Sequence, residues 1–125
     1  MSAAAQVVKK NGHIIVAAEC WDGIPSNSDY EKILTSVGNV SELMDYIKSK
    51  ESSLKDTWQI YFQAKIQKNA TVHLFSCLKD SEVEKTHLRP VKDISQFLSQ
   101  WDQHHQSPPR ICVLPEGPQT IPYLT

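Results

Sequence analysis

The residues best suited to chemistry follow directly after the first apolar run of the chain. Glu19, Cys20, Trp21, Asp22 and Gly23 combine two carboxylates, a thiol, an indole and a turn-forming glycine. In an open parallel sheet, ligands bind at the carboxyl ends of the strands, so this cluster is a candidate cleft rim. The same residue types suit an ordinary strand-to-helix loop that turns at Asp22-Gly23, and residue types alone favour that simpler interpretation.

Cys20 is also a candidate nucleophile, because the thiolate is the reactive form of cysteine. The neighbouring carboxylates of Glu19 and Asp22 would raise the pKa of this thiol and disfavour that role. The histidines are scattered, and no spacing identifies one of them as a general base for the thiol. An enzyme that uses Cys20 is therefore a minor alternative, which alkylation over a range of pH would test.

The sequence contains no metal-binding or nucleotide-binding motif. Cys-x-x-Cys pairs, a His-Glu-x-x-His motif and an acidic calcium loop are all missing, and the four glycines form no phosphate-binding loop. His104 and His105 are adjacent at a predicted helix end, so they point about 100° apart and are interpreted as solvated side chains. We therefore expect this chain to bind no metal.

Length and composition are those of one ordinary globular domain over residues 1–125. Hydrophobic residues make up 40% and charged residues 22%, and the net charge of −1 argues against nucleic-acid or anionic-membrane partners. No apolar run approaches the roughly 20 residues that cross a bilayer. Three cysteines without a secretory signal indicate reduced thiols and a cytoplasmic location.

The pattern of apolar residues predicts strands that alternate with helices. Strands are predicted at residues 13–18, 71–76 and 110–114, with a brief extended segment at 88–91 and Cys112 buried in the last strand. Helices are predicted after Ser2, before Gly38, after Ser41, around Trp58, after Ser81 and before the prolines at 108–109. The alternation predicts an α/β fold, in which helices cover both faces of a mostly parallel, Rossmann-like sheet in three layers.

Trp58 lies in the strongest apolar stripe of the chain, together with Leu54, Tyr61, Phe62 and Ile66. Such a stripe is usually buried, so the spacing predicts that Trp58 belongs to the core. An indole can instead line a ligand site, because its flat ring packs on a substrate while its N–H donates one hydrogen bond.

Three stretches, taken in order, resemble the C-terminal domain of the nickel-dependent lactate racemases. Residues 7–23 resemble a helix, a glycine and an apolar strand that ends in Cys-x-Asp-Gly. Residues 56–59 resemble the tryptophan-bearing helix of that domain, and residues 113–122 resemble its closing Pro-Gly, Thr-x-Pro segment. Trp21 departs from the pattern as a bulky residue at a variable position, which leaves the substrate in doubt.

This resemblance implies a larger isomerase with its active site between two domains. Such enzymes racemise 2-hydroxy acids by moving a hydride from and back to the α-carbon, using a nickel pincer nucleotide. The tether lysine, the nickel ligand and the acid–base histidines of the family belong to the N-terminal domain, so the resemblance implies no catalytic residue and no cofactor here. The resemblance implies a substrate-binding role for Trp58, and it implies no known role for the rim residues.

The combined interpretation is the C-terminal domain of a lactate-racemase-like isomerase, inactive alone, which forms one wall of an interdomain cleft. Its expected partners are the N-terminal domain of the same protein and a small 2-hydroxy acid. The alternative is a free-standing α/β module that binds a small ligand or forms a homo-oligomer. Size-exclusion chromatography and the reading frame upstream of Met1 would distinguish these two interpretations.

Overall fold

The computed structural model describes residues 1–49, 57–104 and 108–122. Three strands form one sheet in the order β1-β2-β3: β1 is Gly12–Ala17, β2 is Ala70–Phe75 and β3 is Arg89–Val91. The helices of the described part are α1 Ser2–Val7, α2 Asp29–Thr35, α3 Val40–Ser49, α4 Thr57–Gln67, α5 Asp80–Lys85 and α6 Ile94–His104, and a 3₁₀ turn spans Gly117–Gln119. None of these helices is both long enough and apolar enough to cross a membrane.

All three strands run parallel. Gly12 pairs with Ala70 at one end of the β1–β2 ladder, and Ala17 pairs with Phe75 at the other. The β2–β3 ladder is short and includes Pro90, which has no N–H to donate and is therefore suited to an edge strand. Within the described sheet, β1 is the other edge.

Helices cover both faces of the sheet. One face is aliphatic: Ile14, Ala70 and Val72 are buried beneath side chains of α1 and α4, including Val8 and Ile66. The opposite face carries polar and aromatic residues, where His13 and His73 pack against Phe97 and Trp101 of α6. The predicted α/β class, with a parallel sheet between two helical layers, is confirmed.

A second cluster of buried residues joins α2, α3 and α4 away from the sheet. Its members are aliphatic and almost completely buried: Ile33, Leu34, Leu43, Ile60 and Ala64. Side-chain caps fix where α2 and α3 begin, because Ser28 Oγ accepts from Glu31 N–H and Asn39 Oδ1 accepts from Glu42 N–H. The prediction that Ser41 caps α3 was wrong, since the chain enters the helix two residues earlier.

The predicted strand at residues 110–114 is not present. The structure assigns no strand there, and Ile111 and Val113 are exposed, as is Cys112, which was expected to be buried. Alternating β-branched residues give a local preference for extended backbone, but a strand also requires a neighbour for its hydrogen bonds. The third strand is instead the brief extended segment that pairs with β2.

Candidate functional site

A cleft of about 320 Å³ opens between the start of α1 and the outer side of α4. Trp58 stands at its wall with 63% of its surface exposed. Helix α4 leads directly into β2 and packs on it, so its last turn lies near the amino end of that strand. The first turn of α4 therefore lies toward the carboxyl end of the sheet. The described lining is mainly apolar and comprises Met1, Ser2, Trp58, Gln59, Phe62, Gln63 and Ile66.

Three aromatic residues on α4 form an exposed cluster, which we call the aromatic wall: Trp58, Tyr61 and Phe62. The rings meet edge to face, with centroids 6.5 Å apart for Trp58 and Phe62 and 5.9 Å apart for Tyr61 and Phe62. Phe62 is half exposed, and only the smaller Ile60 and Ala64 of the same helix are completely buried. The prediction that this stripe is core was therefore wrong for Trp58 and Phe62; Leu54 lies outside the described residues.

The reason is that α4 is apolar on more than one side. The side that carries Ile60 and Ala64 packs against α2 and α3, where small side chains allow close approach of the helices. Ile66, at the far end of the helix, packs on the sheet. Only the start of α1 lies near the side that carries Trp58, and it leaves most of the indole exposed, so the largest apolar residues of α4 face the cleft.

Gln63 is a buried polar residue of the cleft lining, with only 4% of its surface exposed. Its Nε2 donates to Thr86 O at 2.6 Å and to Gln67 Oε1 at 3.2 Å, while Tyr30 Oη donates to its Oε1 at 3.4 Å. Burial raises the pKa of Tyr30, which keeps its hydroxyl protonated as a donor. These hydrogen bonds hold the Gln63 side chain in one orientation at the cleft that Trp58 and Phe62 also line.

Sequence reasoning missed Gln63. The available signal was an amide that falls within the apolar pattern of a helix, between Ile60 and Ile66. Such a side chain must find hydrogen-bond partners if the helix is buried at that position. Its partners come from α2 and from the turn after α5, and their proximity depends on the tertiary fold.

The predicted rim residues form a tight loop after β1. Gly23 N–H donates to Cys20 O at 3.0 Å, and both residues adopt left-handed backbone conformations, with φ of 66° and 58°. The indole N–H of Trp21 donates to the Glu19 carboxylate. Trp21 is 80% exposed, and Asp22 is exposed as well, so the loop presents an indole and two carboxylates to solvent.

The described lining of the cleft includes none of the five rim residues. Rim and cleft share the carboxyl end of the sheet by topology, but they are separate surfaces in this structure. Of the other predicted strand ends, Cys77 lies against the rim, because its N–H donates to Glu19 O at 3.2 Å. Residues 115–117 follow a segment that joins no strand, and the 3₁₀ turn that begins at Gly117 contacts α1 instead.

The thiol of Cys20 is poorly suited to nucleophilic catalysis. Burial raises its pKa, and the neighbouring Cys77 raises it further. The predicted direction of the shift is confirmed, but its cause differs from the expectation, which assigned it to Glu19 and Asp22. The thiol-enzyme alternative therefore loses support.

His13 and His73 form an unexpected polar pair beneath α6. His13 Nδ1 and His73 Nε2 are 2.8 Å apart and share one hydrogen bond, and the rings stack with centroids 5.1 Å apart. Burial lowers the pKa of His73 to about 4, and His13 and Arg89 lower it as well. Within the described residues, no three side chains of His, Cys, Asp or Glu converge in a way that could hold a metal ion.

Comparison with known proteins agrees with this architecture. The family model described as the lactate racemase C-terminal domain matches residues 1–121. The chain belongs to this family. A lactate racemase from Thermoanaerobacterium thermosaccharolyticum is 29% identical over 124 residues, which cover 97% of this chain and 29% of that protein.

The fold of this lactate racemase C-terminal domain also matches a solved structure. The lactate racemase apoprotein from Thermoanaerobacterium thermosaccharolyticum superimposes with a TM-score of 0.71 and 26% identity, over 80% of this chain and 24% of that one. The chain therefore spans less than a third of the length of the relative that it matches. The resemblance that its three sequence stretches predicted is confirmed.

Proposed function

We propose that this chain forms one wall of the active-site cleft of a 2-hydroxy acid racemase of the lactate racemase type, with Trp58 packing on the substrate. The observation that carries the proposal is the exposed indole of Trp58 beside a cleft of about 320 Å³. A large apolar surface that stays uncovered in a folded domain marks a binding surface more often than an accident of packing. Membership of the lactate racemase C-terminal domain family supports a role for this surface in binding substrate.

The chemistry of the cleft fits a small hydroxy acid. The face of an indole excludes water from one side of a bound molecule, and its Nε1–H can donate one hydrogen bond to a carboxylate or hydroxyl oxygen. Gln63, held by its hydrogen bonds, keeps the floor beneath Trp58 and Phe62 in place. We assign Trp58 as a substrate-binding residue and Gln63 as a positioning residue.

The described residues do not fit the nickel pincer nucleotide that the family implies. No cluster of three metal-ligating side chains is found among them, and the residues that line the cleft include no lysine or histidine. We therefore propose that the N-terminal domain of the full protein holds this cofactor. No catalytic step is assigned to a residue of this chain, and we expect the chain alone to be inactive.

We further propose that the rim loop lies at the mouth of the interdomain cleft, because it follows the carboxyl end of β1. Glu19 and Asp22 would then add negative charge near the entrance, and Trp21 would add an exposed indole. The three cysteines are all unpaired, which fits the proposed cytoplasmic location of the protein.

A domain exchange tests the proposal. The chain would replace the corresponding domain of the Thermoanaerobacterium thermosaccharolyticum lactate racemase, and racemisation of lactate and of other 2-hydroxy acids would be followed by chiral chromatography. We expect Trp58→Ala to lower kcat/KM at least about tenfold, and Trp58→Phe to lower it less, because the phenyl ring retains part of the apolar wall.

Ile111→Ala is the matched control, since Ile111 is an apolar residue of similar exposure, at 58%, and does not line the cleft. We expect this variant to change kcat/KM by less than about twofold. Equal losses for Ile111→Ala and Trp58→Ala would contradict the substrate-binding role of Trp58. Racemisation by the unmodified 125-residue chain alone would contradict the division of labour between the two domains.

A further inference from the structure

The β1–β2 ladder continues beyond the two strands and brings two cysteines together. Ala18 N–H donates to Phe75 O at 3.0 Å, and Cys77 N–H donates to Glu19 O at 3.2 Å. The thiol of Cys77 also donates to the carbonyl oxygen of Glu19, at 2.6 Å. That carbonyl belongs to the peptide bond that leads into Cys20, so Cys77 rests against the backbone of the other cysteine.

Peptide geometry limits how far apart these cysteines can be. In a trans peptide the carbonyl oxygen lies roughly 2.8 Å from the next Cα, which places the Cα of Cys20 within about 5.4 Å of Cys77 Sγ. Disulfides form across Cα separations of about 4.4–6.8 Å, and adjacent strands lie about 4.8 Å apart, so the spacing of the two strands, rather than this Cα–Sγ bound, puts the two Cα atoms in the range that a disulfide spans. The left-handed backbone of Cys20 bends the chain at this point, away from the regular strand.

We propose that Cys20 and Cys77 are a dithiol that small-molecule disulfides oxidise to an intramolecular disulfide at the rim of the cleft. The two thiols interact electrostatically, which is one of the two causes of the raised pKa of Cys20. Both residues are at least partly accessible, so an oxidant can reach them. This inference stands apart from the racemase proposal, since it concerns no substrate.

The oxidation balances with glutathione disulfide as the oxidant. The thiolate of the more exposed Cys77 attacks the glutathione disulfide, which breaks the S–S bond, releases one glutathione thiolate and leaves a mixed disulfide on Cys77. Cys20 then loses its proton, and its thiolate attacks Cys77 Sγ and expels the second glutathione. Overall, the two cysteines lose two protons and two electrons, and one glutathione disulfide becomes two glutathione thiols.

Because burial raises the pKa of Cys20, only a small fraction of this residue is thiolate at neutral pH, which slows the second step. Its rate should increase with pH until the Cys20 thiol is deprotonated. The resulting bond would join the loop that carries Trp21 and Asp22 to the segment between β2 and α5. The rim would then be covalently fixed to the segment that follows the central strand, β2.

The test uses the folded chain, oxidised by glutathione disulfide at pH 8, alkylated with N-ethylmaleimide and digested with trypsin without reductant. Cleavage after lysine and arginine separates the three cysteines into peptides 11–32, 69–79 and 111–125. We expect most of the chain to yield a linked pair of peptides 11–32 and 69–79, with a loss of two hydrogens. Reduction should release both peptides.

Three serine variants provide the controls. Cys20→Ser and Cys77→Ser should each abolish the linked pair and accumulate a glutathione adduct on the remaining cysteine. Cys112→Ser should form the linked pair as the unmodified chain does, because Cys112 is exposed elsewhere. Circular dichroism would establish that each variant is folded, and Cys77→Ala would replace Cys77→Ser if that variant were not.

Oxidation in urea separates an effect of the fold from simple proximity along the chain. An unfolded chain favours the shorter loop between Cys77 and Cys112, so the link between peptides 69–79 and 111–125 should form about twice as often as the link between 11–32 and 69–79. The folded chain should give the Cys20–Cys77 link instead. Folded chain that carries only glutathione adducts after complete reaction, or that links Cys112 as often as Cys20, would overturn the proposal.

Discussion

Two aromatic pairs with the same helical spacing have opposite environments. Trp58 and Phe62 lie four residues apart on α4 and face an open cleft, whereas Phe97 and Trp101 lie four residues apart on α6 and pack on the sheet. The second pair contacts His13 and His73, with ring centroids of Trp101 and His13 4.3 Å apart. The first pair stays largely exposed, with 63% of the Trp58 surface and 50% of the Phe62 surface accessible.

The comparison shows that helical spacing identifies an apolar side of a helix but not what covers it. Helix α6 has one apolar side, and the sheet is the surface available to bury it. Helix α4 has apolar residues on several sides, and the side carrying Ile60 and Ala64 contacts α2 and α3. The aromatic wall is the apolar surface of α4 that these contacts leave exposed, and an exposed apolar surface is typical of a site that binds a partner or ligand.

Acid should produce the largest effect, through the histidine pair beneath α6. His73 has a folded pKa of about 4 against 6.5 for a free imidazole, so its stabilising contribution is complete above pH 6.5 and is lost as the pH falls toward 4. We expect the free energy of unfolding to fall by about 2–3 kcal/mol between pH 7.5 and pH 4.5 from this residue. Urea unfolding across that range would measure it.

The matched variant is His73→Gln, which keeps a polar side chain but cannot be protonated. The difference between the two proteins isolates His73 from the carboxylates, which titrate in both. The difference between the two proteins should grow as the pH falls from 6.5 to 4.5, the range in which His73 binds a proton in the unfolded chain but not in the folded one. Parallel pH profiles for the two proteins would show that His73 is not buried as described.

Phe97→Ala and Phe62→Ala compare the two pairs directly. Phe97 packs on His73 with ring centroids 4.6 Å apart, so we expect its truncation to lower the free energy of unfolding by about 2 kcal/mol. Phe62 is half exposed, so its truncation should cost less than about 1 kcal/mol. Thermal or urea unfolding of the two variants in parallel would measure both; a larger cost at Phe62 would mean that the aromatic wall belongs to the core.

Gln63→Leu tests whether the hydrogen bonds of Gln63, which we call the floor of the cleft, stabilise the fold. The leucine cannot donate to Thr86 O, which would leave a buried carbonyl and the Tyr30 hydroxyl without their present partner. We expect a loss of about 1–2 kcal/mol in the free energy of unfolding, measured by urea titration. Gln59→Leu is the control, because Gln59 lies on the same helix but is exposed. An equal loss in the two variants would argue against the hydrogen-bonded floor.

Trp58→Ala should have the smallest effect on stability. Most of the indole surface is already exposed, so its removal should change the free energy of unfolding by less than about 1 kcal/mol. Differential scanning calorimetry of the isolated chain would test this. A loss well above that value would assign Trp58 to the folded core and remove the observation on which the racemase proposal depends.

The sequence was sufficient to predict the two long strands, because each is a continuous apolar run bounded by turn residues. It was also sufficient for α6, whose apolar residues lie on one side. It could not place the aromatic wall, since the outer side of α4 follows from how α2 and α3 pack. The prediction of a strand at residues 110–114 failed for a related reason: the local preference for extended backbone was strong, but the segment pairs with no strand in the part of the chain that the structure describes.

The histidine pair shows that strand register is the information that a local sequence pattern lacks. His13 and His73 are far apart in the chain, and each occupies an ordinary position in a predicted strand. They meet because β1 and β2 pair with His13 opposite Thr71 and Ile15 opposite His73, which puts both imidazoles on the same face. Register depends on the whole sheet, so no local motif could have revealed the pair.

The two edge strands of the sheet, which form its borders, differ in how readily a further strand could pair with them. The border formed by β3 is three residues long and contains Pro90, so it offers little template for another chain. The border formed by β1 is six residues long, apolar and free of proline. Any additional strand, whether from the rest of a longer polypeptide or from an unfolded neighbour during aggregation, would join at β1, which makes that border the one to protect when the domain is handled alone.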